Sequence, residues 1–189
     1  DMQGSYLGPE YDQKEIEEDL EKAGAKFKIL TEEELIDKTS TDLSLGEAIG
    51  WFQGRMEFGP RALGGRSILG DPRSSKMQKN LNLKVKYRES FRPFAPSVLK
   101  EDLKDWFDIN VDSPYMLMVA NINKNKIIKM TDEQKKLFGI DKLNIKRSEI
   151  PAVTHVDYSA RIQTVHKETN EKYFKLIQKF KEKTNCPVI

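Results

Sequence analysis

The chain has few of the side chains that bind metals or form covalent cross-links. It contains one cysteine, Cys186, and two histidines, His155 and His166. A single cysteine allows no internal disulfide, which fits a reducing compartment. A lone thiol near the end of a helix is more often a packed small hydrophobe than a nucleophile. Because soft ligands are so scarce, we predict no metal site held by the protein itself.

Long apolar runs are also missing from the sequence. No stretch is long enough to span a membrane, and no apolar segment typical of a secretory signal opens the chain. The net charge is only +2, with 38% hydrophobic and 33% charged residues, which is typical of a globular protein. We therefore expect a cytoplasmic protein without a membrane partner, and the total charge gives no argument for nucleic acid.

One stretch, residues 50–98, has an uneven charge, with many cations and few acids. Glycine lets a backbone approach a ligand closely, arginine offers a planar fork of donors for phosphate, and turns with unpaired N–H groups form concave anion sites. The pattern predicts an oxyanion pocket for phosphate, although glycine-rich turns with solvated arginines are the alternative. The residues concerned are Gly50, Gly54, Gly59, Gly64, Gly65 and Gly70, with Arg55, Arg61, Arg66, Arg73, Lys84, Lys86, Arg88 and Arg92.

A longer pattern in this stretch resembles a known family. The segment Gly54-Arg-Met-Glu-Phe-Gly-Pro-Arg-Ala-Leu-Gly64 is followed by Arg66-Ser-Ile-Leu69, Asp71-Pro-Arg73, Phe91-Arg-Pro-Phe-Ala-Pro96, Ile150-Pro-Ala-Val-Thr-His-Val-Asp157 and Ala160-Arg-Ile-Gln-Thr-Val165. These segments resemble the C-terminal domain of the O-carbamoyltransferases. That family includes the NodU-type nodulation proteins and biosynthetic enzymes such as the tobramycin and cephamycin carbamoyltransferases.

The resemblance implies a fold and a reaction. It implies an α/β, YrdC-like fold with a mixed, twisted open sheet and flanking helices, and the irregular alternation of predicted strands and helices also favours a mixed sheet. It implies that the domain binds carbamoyl phosphate and ATP and forms carbamoyl-adenylate with loss of phosphate and pyrophosphate. A partner domain then holds a metal and moves the carbamoyl group to an acceptor hydroxyl. Mg²⁺ would arrive with ATP and be held mostly by its phosphates.

The resemblance also implies a domain organisation. Residues 1–24 are expected to be a lead-in from a missing N-terminal catalytic domain, and residues 25–189 a YrdC-like carbamoyltransferase C-terminal domain that is truncated at its C-terminus. The start has no natural initiator, and the last residues, 185–189, end inside an expected strand. We expect the fragment to be inactive in the full transfer reaction alone.

Matching residues identify the predicted site. Arg61, Lys86 and Arg92 are expected to act in catalysis, because two phosphate-bearing reactants repel each other and clustered cations allow them to approach. For each, a surface salt bridge is the alternative. The wider set expected to bind substrate or phosphate adds Arg161, Arg55, Arg66, Thr154 and His155.

Two further residues and one rival function complete the expectations. Glu57 is expected to orient an arginine rather than act as a base, and Gly65 replaces an asparagine of the family motif whose amide could touch the ligand. The rival function is an RNA-binding YrdC-like module without transfer activity, whose affinity would fall steeply with salt. The stretch lacks the interleaved aromatic residues of a single-strand reader, so nucleic acid is the weaker hypothesis.

Periodicity and turn residues predict the secondary structure. Helices are predicted at 13–23, 31–45, 76–85 (capped by Ser74 or Ser75), 102–107 and 170–184, the last with a buried stripe. Strands are predicted at 26–30, 48–52 (buried), 67–69, 115–119, 153–156, 161–165 and 187–189. Two prolines place 93–99 at a sheet edge or bend. Lysine-rich residues 121–149 are predicted to be a solvated surface insertion.

Overall fold

A computed structural model of the protein describes residues 2–189. The helices are α1 (Gln13–Lys22), α2 (Glu32–Ser44), α3 (Met77–Lys84), α4 (Leu103–Trp106), α5 (Asp132–Lys136), α6 (Gly139–Leu143) and α7 (Glu171–Thr184). The strands are β1 (Ile49–Phe52), β2 (Arg66–Leu69), β3 (Ser97–Leu99), β4 (Met118–Asn121) and β5 (Ser159–Val165). Short 3-10 turns cover Gln3–Ser5, Lys100–Asp102, Lys124–Lys126 and Pro151–Val153.

The helices begin where local capping is strongest. Thr31 and Glu34 form a reciprocal capping box at the start of α2, and Asn170 accepts a bond from the backbone N–H of Tyr173 at the start of α7. Such caps satisfy N–H groups that have no partner within the helix. The predicted serine cap of α3 was wrong, because Lys76 precedes that helix and no side chain caps it.

The strands within residues 2–189 form two small sheets rather than the single open sheet that we predicted. β1 and β2 form an antiparallel pair, with Ile49 opposite Leu69. In the other sheet β5 is central, parallel to β3 and antiparallel to β4. The α/β class and the mixed strand pairing are confirmed, whereas the YrdC-like description stays a prediction.

The proline-rich segment 93–99 ends in β3, which pairs with β5, the central strand of this sheet. The ladder begins at Ser97, directly after Pro96, so the prolines stay outside it, as their missing N–H donors require. In the strand order β3-β5-β4, β3 is a terminal strand, so the predicted edge position is confirmed. On the side away from β5, Ser97 also exchanges backbone bonds of 2.8 and 3.0 Å with Ile189. The predicted strand at 187–189 is therefore reduced to a short pairing with β3.

Several other strand predictions were wrong. Residues 26–30 form no ladder with a described strand, and Ile29 is 65% exposed. At 153–156 the hydroxyl of Thr154 donates to Ile150 O at 2.8 Å, which favours a turn. The strand expected at 115–119 starts only at Met118, because Met116 has a left-handed φ of 55°. β1 is not fully buried, since Phe52 is 57% exposed.

The core lies between α7 and the mixed sheet. The predicted stripe of α7 is confirmed, and its residues Tyr173, Leu176, Ile177 and Phe180 are all buried in the main hydrophobic cluster. Cys186 joins this cluster, and burial raises the pKa of its thiol to about 12. A thiol with so high a pKa is a poor nucleophile. Its role is therefore packing, as the sequence indicated.

The lysine-rich residues 121–149 are mostly exposed, as predicted, but their ends are anchored. Ile122 is 1% exposed and Ser148 is fully buried. Arg147 is also buried, and its Nη1 donates to the carbonyls of Leu143 and Ile145, each at 3.0 Å. No helix among the described residues has the length and apolar character needed to cross a membrane.

Candidate functional site

The loop between β1 and β2, residues 53–65, is organised by one buried carboxylate. Oε1 of Glu57 accepts bonds from the backbone N–H groups of Leu63 (2.7 Å), Gly65 (2.7 Å) and Arg66 (3.2 Å). Glu57 is only 6% exposed. Hydrogen bonds to a charged acceptor are the stronger kind. The structural role expected for Glu57 is confirmed, but its partners are backbone groups instead of an arginine.

Distant elements hold the same loop. The carbonyl of Leu63 accepts bonds from the Tyr6 hydroxyl (2.6 Å) and from Gln163 Nε2 (2.8 Å). Gln53 Nε2 donates to Gly64 O at 2.7 Å. Backbone pairing adds to this, because Phe58 N donates to Ser5 O at 2.7 Å. The loop is therefore a fixed structure and not a flexible surface turn.

Tyr6→Phe is expected to lower the free energy of unfolding by about 1 kcal/mol, the usual net value of one hydrogen bond. The hydroxyl of Tyr6 is in a desolvated place, where burial raises its pKa to about 12. Chemical denaturation of both proteins measures the change, with Tyr87→Phe as control because Tyr87 is 86% exposed. Equal stabilities for wild type and Tyr6→Phe would contradict a role of this bond in holding the loop.

A cavity of about 370 Å³, here called the Arg61 cavity, lies between this loop and the mixed sheet. Apolar residues such as Met77, Leu81 and Phe94 form part of its wall. Its charged lining consists of Arg61, Lys86, Arg88 and Arg161, and within residues 2–189 no carboxylate lines it. A cavity with cationic side chains and apolar walls favours an anionic ligand, because charge interactions strengthen away from bulk water.

Among residues 2–189, no acidic side chain forms an ion pair with an arginine of this cavity. The arginine ion pairs seen in the described part of the chain involve Arg55, Arg73 and Arg92. Nε of Arg61 is buried without a described hydrogen-bond partner. Burial, and then the charge of Arg61, lowers the pKa of Arg161 below its ordinary value. An oxyanion between these two guanidinium groups would offset their repulsion and provide the missing acceptor.

The structure brings together only part of the predicted site. Arg61, Lys86 and Arg161 line one cavity. Arg92, Thr154 and His155 line a second one of about 580 Å³, the Arg92 cavity. His155 and Arg161 together line a third cavity of about 370 Å³. Pro93 lines both the Arg61 cavity and the Arg92 cavity, so these two adjoin.

Arg55 and Arg66 lie apart from both cavities. Nε of Arg55 is 3.4 Å from Glu10 Oε2, in an exposed ion pair. Arg66 donates to the carbonyls of Gln53 and Gly54 at 2.9 and 3.1 Å and stacks on Phe52. These contacts give both arginines structural roles in the β1–β2 loop.

His155 lies in a turn and not in the strand predicted at 153–156. Its Nδ1 is 3.2 Å from Oδ1 of Asp157, and the side chain is exposed. Asp157 is fixed in turn by Ser159, whose hydroxyl donates to the same oxygen at 2.6 Å. Hydrogen bonds from Ser159 lower the pKa of Asp157.

Arg88 belongs to the basic stretch predicted to form an oxyanion pocket, but it is not among the residues matched to the family's site. Its Nε donates to Asn82 Oδ1 at 2.6 Å, and its guanidinium lies 5.0 Å from the ring centroid of Phe94. These contacts hold the guanidinium of Arg88 in the lining of the Arg61 cavity. The available indication was the basic composition of this segment, in which Lys84, Lys86 and Arg88 stand at alternate positions.

Gly65 fits its place in the loop. Its N–H is one of the donors to Glu57, and a Cβ at this position would lie 2.8 Å from the carbonyl oxygen of Arg55. Any side chain would therefore require the loop to shift. The expected effect of the missing asparagine on ligand affinity stays a prediction.

Comparison with known proteins identifies the family. Residues 40–189 match the family profile described as "Carbamoyltransferase C-terminus". The chain belongs to the carbamoyltransferase family. Its relatives include an uncharacterized Synechocystis protein, sll1178, with 55% identity over the whole chain. The nodulation protein NolNO of Sinorhizobium fredii is 35% identical over the whole chain.

A named enzyme also resembles this carbamoyltransferase-family chain. The 3'-hydroxymethylcephem-O-carbamoyltransferase of Amycolatopsis lactamdurans is 35% identical over 76% of the chain. The chain spans 31%, 25% and 23% of the lengths of these three relatives. It therefore corresponds to less than a third of each of these proteins.

Proposed function

We propose that this chain is the part of an ATP-dependent O-carbamoyltransferase that binds carbamoyl phosphate and ATP and forms carbamoyl-adenylate. The observation that supports this proposal is the Arg61 cavity, with four cationic side chains and, in the part of the chain described, no lining carboxylate. Family membership supports carbamoyl transfer, and the cationic lining of the cavity supports the binding of phosphate groups there. A YrdC-like fold and a cytoplasmic location belong to the same proposal.

The side chains of the cavity would act by electrostatics. Arg61, Lys86 and Arg161 bind the phosphate of carbamoyl phosphate and offset the charge of the departing phosphate, the usual source of catalysis in phosphoryl chemistry. Carbamoyl phosphate and one water give carbamate and phosphate. A carbamate oxygen then bonds to the α-phosphorus of ATP, whose bond to pyrophosphate breaks.

Mg²⁺ would be carried by the nucleotide. The described residues contain no group of three or more His, Cys, Asp or Glu side chains placed to hold a metal ion. A phosphate chain offers the hard oxygen ligands that Mg²⁺ prefers. The cationic side chains of the Arg61 cavity would bind phosphate oxygens that do not contact Mg²⁺.

Transfer to the acceptor hydroxyl is proposed to take place on a separate domain of the longer protein. This assignment is consistent with the size of the relatives, of which the chain spans less than a third. The residues of the Arg61 cavity are therefore not expected to select the acceptor. This chain alone is expected to make carbamoyl-adenylate but not the carbamoylated product.

Arg61→Ala and Arg161→Ala are each expected to weaken carbamoyl phosphate binding by about 10- to 150-fold, the loss of about 1.5–3 kcal/mol from a hydrogen bond to a charged group. Isothermal calorimetry on the purified chain measures this change. Lys84→Ala is the matched control, because it removes one nearby exposed positive charge that does not line the cavity. Equal affinities for wild type and Arg61→Ala would sink the assignment of the phosphate site.

A further inference from the structure

Residues 12–30, here called the N-terminal arm, contribute little to the core of the domain. The arm consists of α1, a turn and the segment 25–30 that leads to α2. No residue of α1 is buried, and residues 21–34 are all exposed. The family profile begins only at residue 40, so the arm also lies outside the matched domain.

Local hydrogen bonds nevertheless fix the form of the arm. A reciprocal capping box opens α1 at Asp12. At the end of this helix, the N–H groups of Gly24 and Ala25 donate to carbonyls of its last turn, each at 2.9 Å. This pattern is a Schellman motif, and Gly24 has the left-handed φ of 66° that the motif requires. The direction of the segment after α1 is therefore set by the turn.

The backbone of residues 26–30 has no partner in the described part of the chain. Within residues 2–189, none of its N–H or C=O groups forms a backbone hydrogen bond. The segment is neither helical nor turned. Apolar Phe27 and Ile29, which are 38% and 65% exposed, alternate with Lys26 and Lys28. Unpaired backbone groups beside exposed apolar side chains are typical of a strand that pairs with another body.

The alternation defines the chemistry of the missing neighbour. In a strand, Phe27 and Ile29 lie on one face and Lys26 and Lys28 on the other. Residues directly opposite each other on neighbouring strands interact as pairs. The matching strand therefore carries apolar residues on the first face and carboxylates on the second.

A second copy of this chain fits that requirement poorly. Antiparallel pairings centred on Phe27 or on Lys28 place lysine opposite lysine, which is destabilising. Two short strands that pair alone are also marginal in water. A strand of the same polypeptide avoids this weakness, because the covalent link gives it a high effective concentration.

Longer relatives contain a counterpart of the arm. The Synechocystis protein and NolNO each align with the whole chain, arm included, and the chain spans 31% and 25% of their lengths. Most of each relative therefore lies outside the aligned region, and the partner strand is expected there.

We propose that residues 26–30 add a strand to an open sheet edge of the separate domain of the longer protein. The proposal rests on the proposed function, which places the transfer step on such a domain. The arm would then belong structurally to that domain, and the boundary between the two domains would lie near Thr31 instead of at residue 24.

Hydrogen exchange resolved to single residues tests the pairing in the longer protein and in this chain alone. A strand at a sheet edge offers every second N–H to its neighbour. Alternate amides of residues 26–30 are therefore expected to exchange at least about 100-fold more slowly in the longer protein, the scale of a stable local structure. Residues 32–44 of α2 serve as the internal reference.

Two results would overturn the proposal. One is equally rapid exchange of residues 26–30 in both proteins. The other is protection in this chain alone that increases with its concentration, because that result identifies a second copy as the partner.

Matched substitutions test the apolar face. Ile29→Asp is expected to reduce the protection in the longer protein at least about tenfold, because a carboxylate replaces an apolar side chain in the pairing. Val111→Asp changes another exposed β-branched residue, 51% exposed, and is expected to leave the protection unchanged. Chemical denaturation of this chain with Ile29→Asp should match wild type, which excludes misfolding. Equal protection in both variants would contradict the pairing.

Hydrogen exchange detects the docking without the reaction, so the two proposals can fail separately. If the arm is protected but the longer protein binds no carbamoyl phosphate, the docking stands and the proposed function fails. If carbamoyl phosphate binds and Arg61→Ala weakens it while the arm exchanges rapidly, only the docking fails.

Discussion

Gly64→Ala is expected to destabilise the chain by about 2–6 kcal/mol, the sum of backbone strain and overpacking. Gly64 has a φ of +102°, which residues with a Cβ rarely adopt. A Cβ here would clash with Cδ1 of Tyr173, whose ring is buried. The β1–β2 loop or the α7 helix would have to shift. Denaturant unfolding of wild type and variant measures the loss.

Three other glycines separate the two causes. Gly59→Ala tests strain alone, because φ is +121° and the space is open. Gly65→Ala tests crowding alone, through the carbonyl of Arg55 at 2.8 Å. Gly50→Ala has neither problem and is expected to be nearly neutral. The explanation fails if Gly64→Ala costs no more than Gly50→Ala.

Glu57→Ala is expected to cost at least about 3 kcal/mol of stability, because each buried donor left without a partner costs about 1–3 kcal/mol. The carboxylate satisfies two backbone N–H groups of the loop and that of Arg66 at the start of β2. Losing it releases the segment that carries Arg61, so carbamoyl phosphate affinity should fall as well. Chemical denaturation and calorimetry measure the two effects.

Glu57→Gln separates the loss of the hydrogen bonds from the loss of the charge. Its amide oxygen can accept the same backbone bonds, but the charge is lost, so a smaller cost than for alanine is expected. Glu21→Ala provides an exposed control. Indistinguishable stabilities for Glu57→Ala and Glu21→Ala would show that the loop is held by its other contacts.

Helices were predictable because their causes are local. The stripe of α7 follows a 3.6-residue period, and the caps at Thr31 and Asn170 lie within three residues of the groups they satisfy. Strands depend on partners that the sequence does not show. The apolar segment 26–30 has strand-like composition, but no described neighbour pairs with it.

The site was predictable in part. Resemblance of motifs identified Arg61, Lys86 and Arg161, which the fold brings to one cavity although 100 residues of sequence separate the first from the last. The separation of Arg92 from that group depends on the path of residues 91–95, which periodicity does not determine. The role of Glu57 was also hidden, because its partners are backbone N–H groups and not side chains.

The loop that carries Arg61 is expected to reach its final structure late in folding. Its carbonyl at Leu63 is bonded by Tyr6, 57 residues before it, and by Gln163, 100 residues after it. Contacts between such distant residues lose much chain entropy when they form and slow folding. During synthesis the Arg61 cavity cannot be completed before β5 and the start of α7 have emerged. A nascent chain should therefore acquire phosphate affinity only after β5 and the start of α7 have been synthesised.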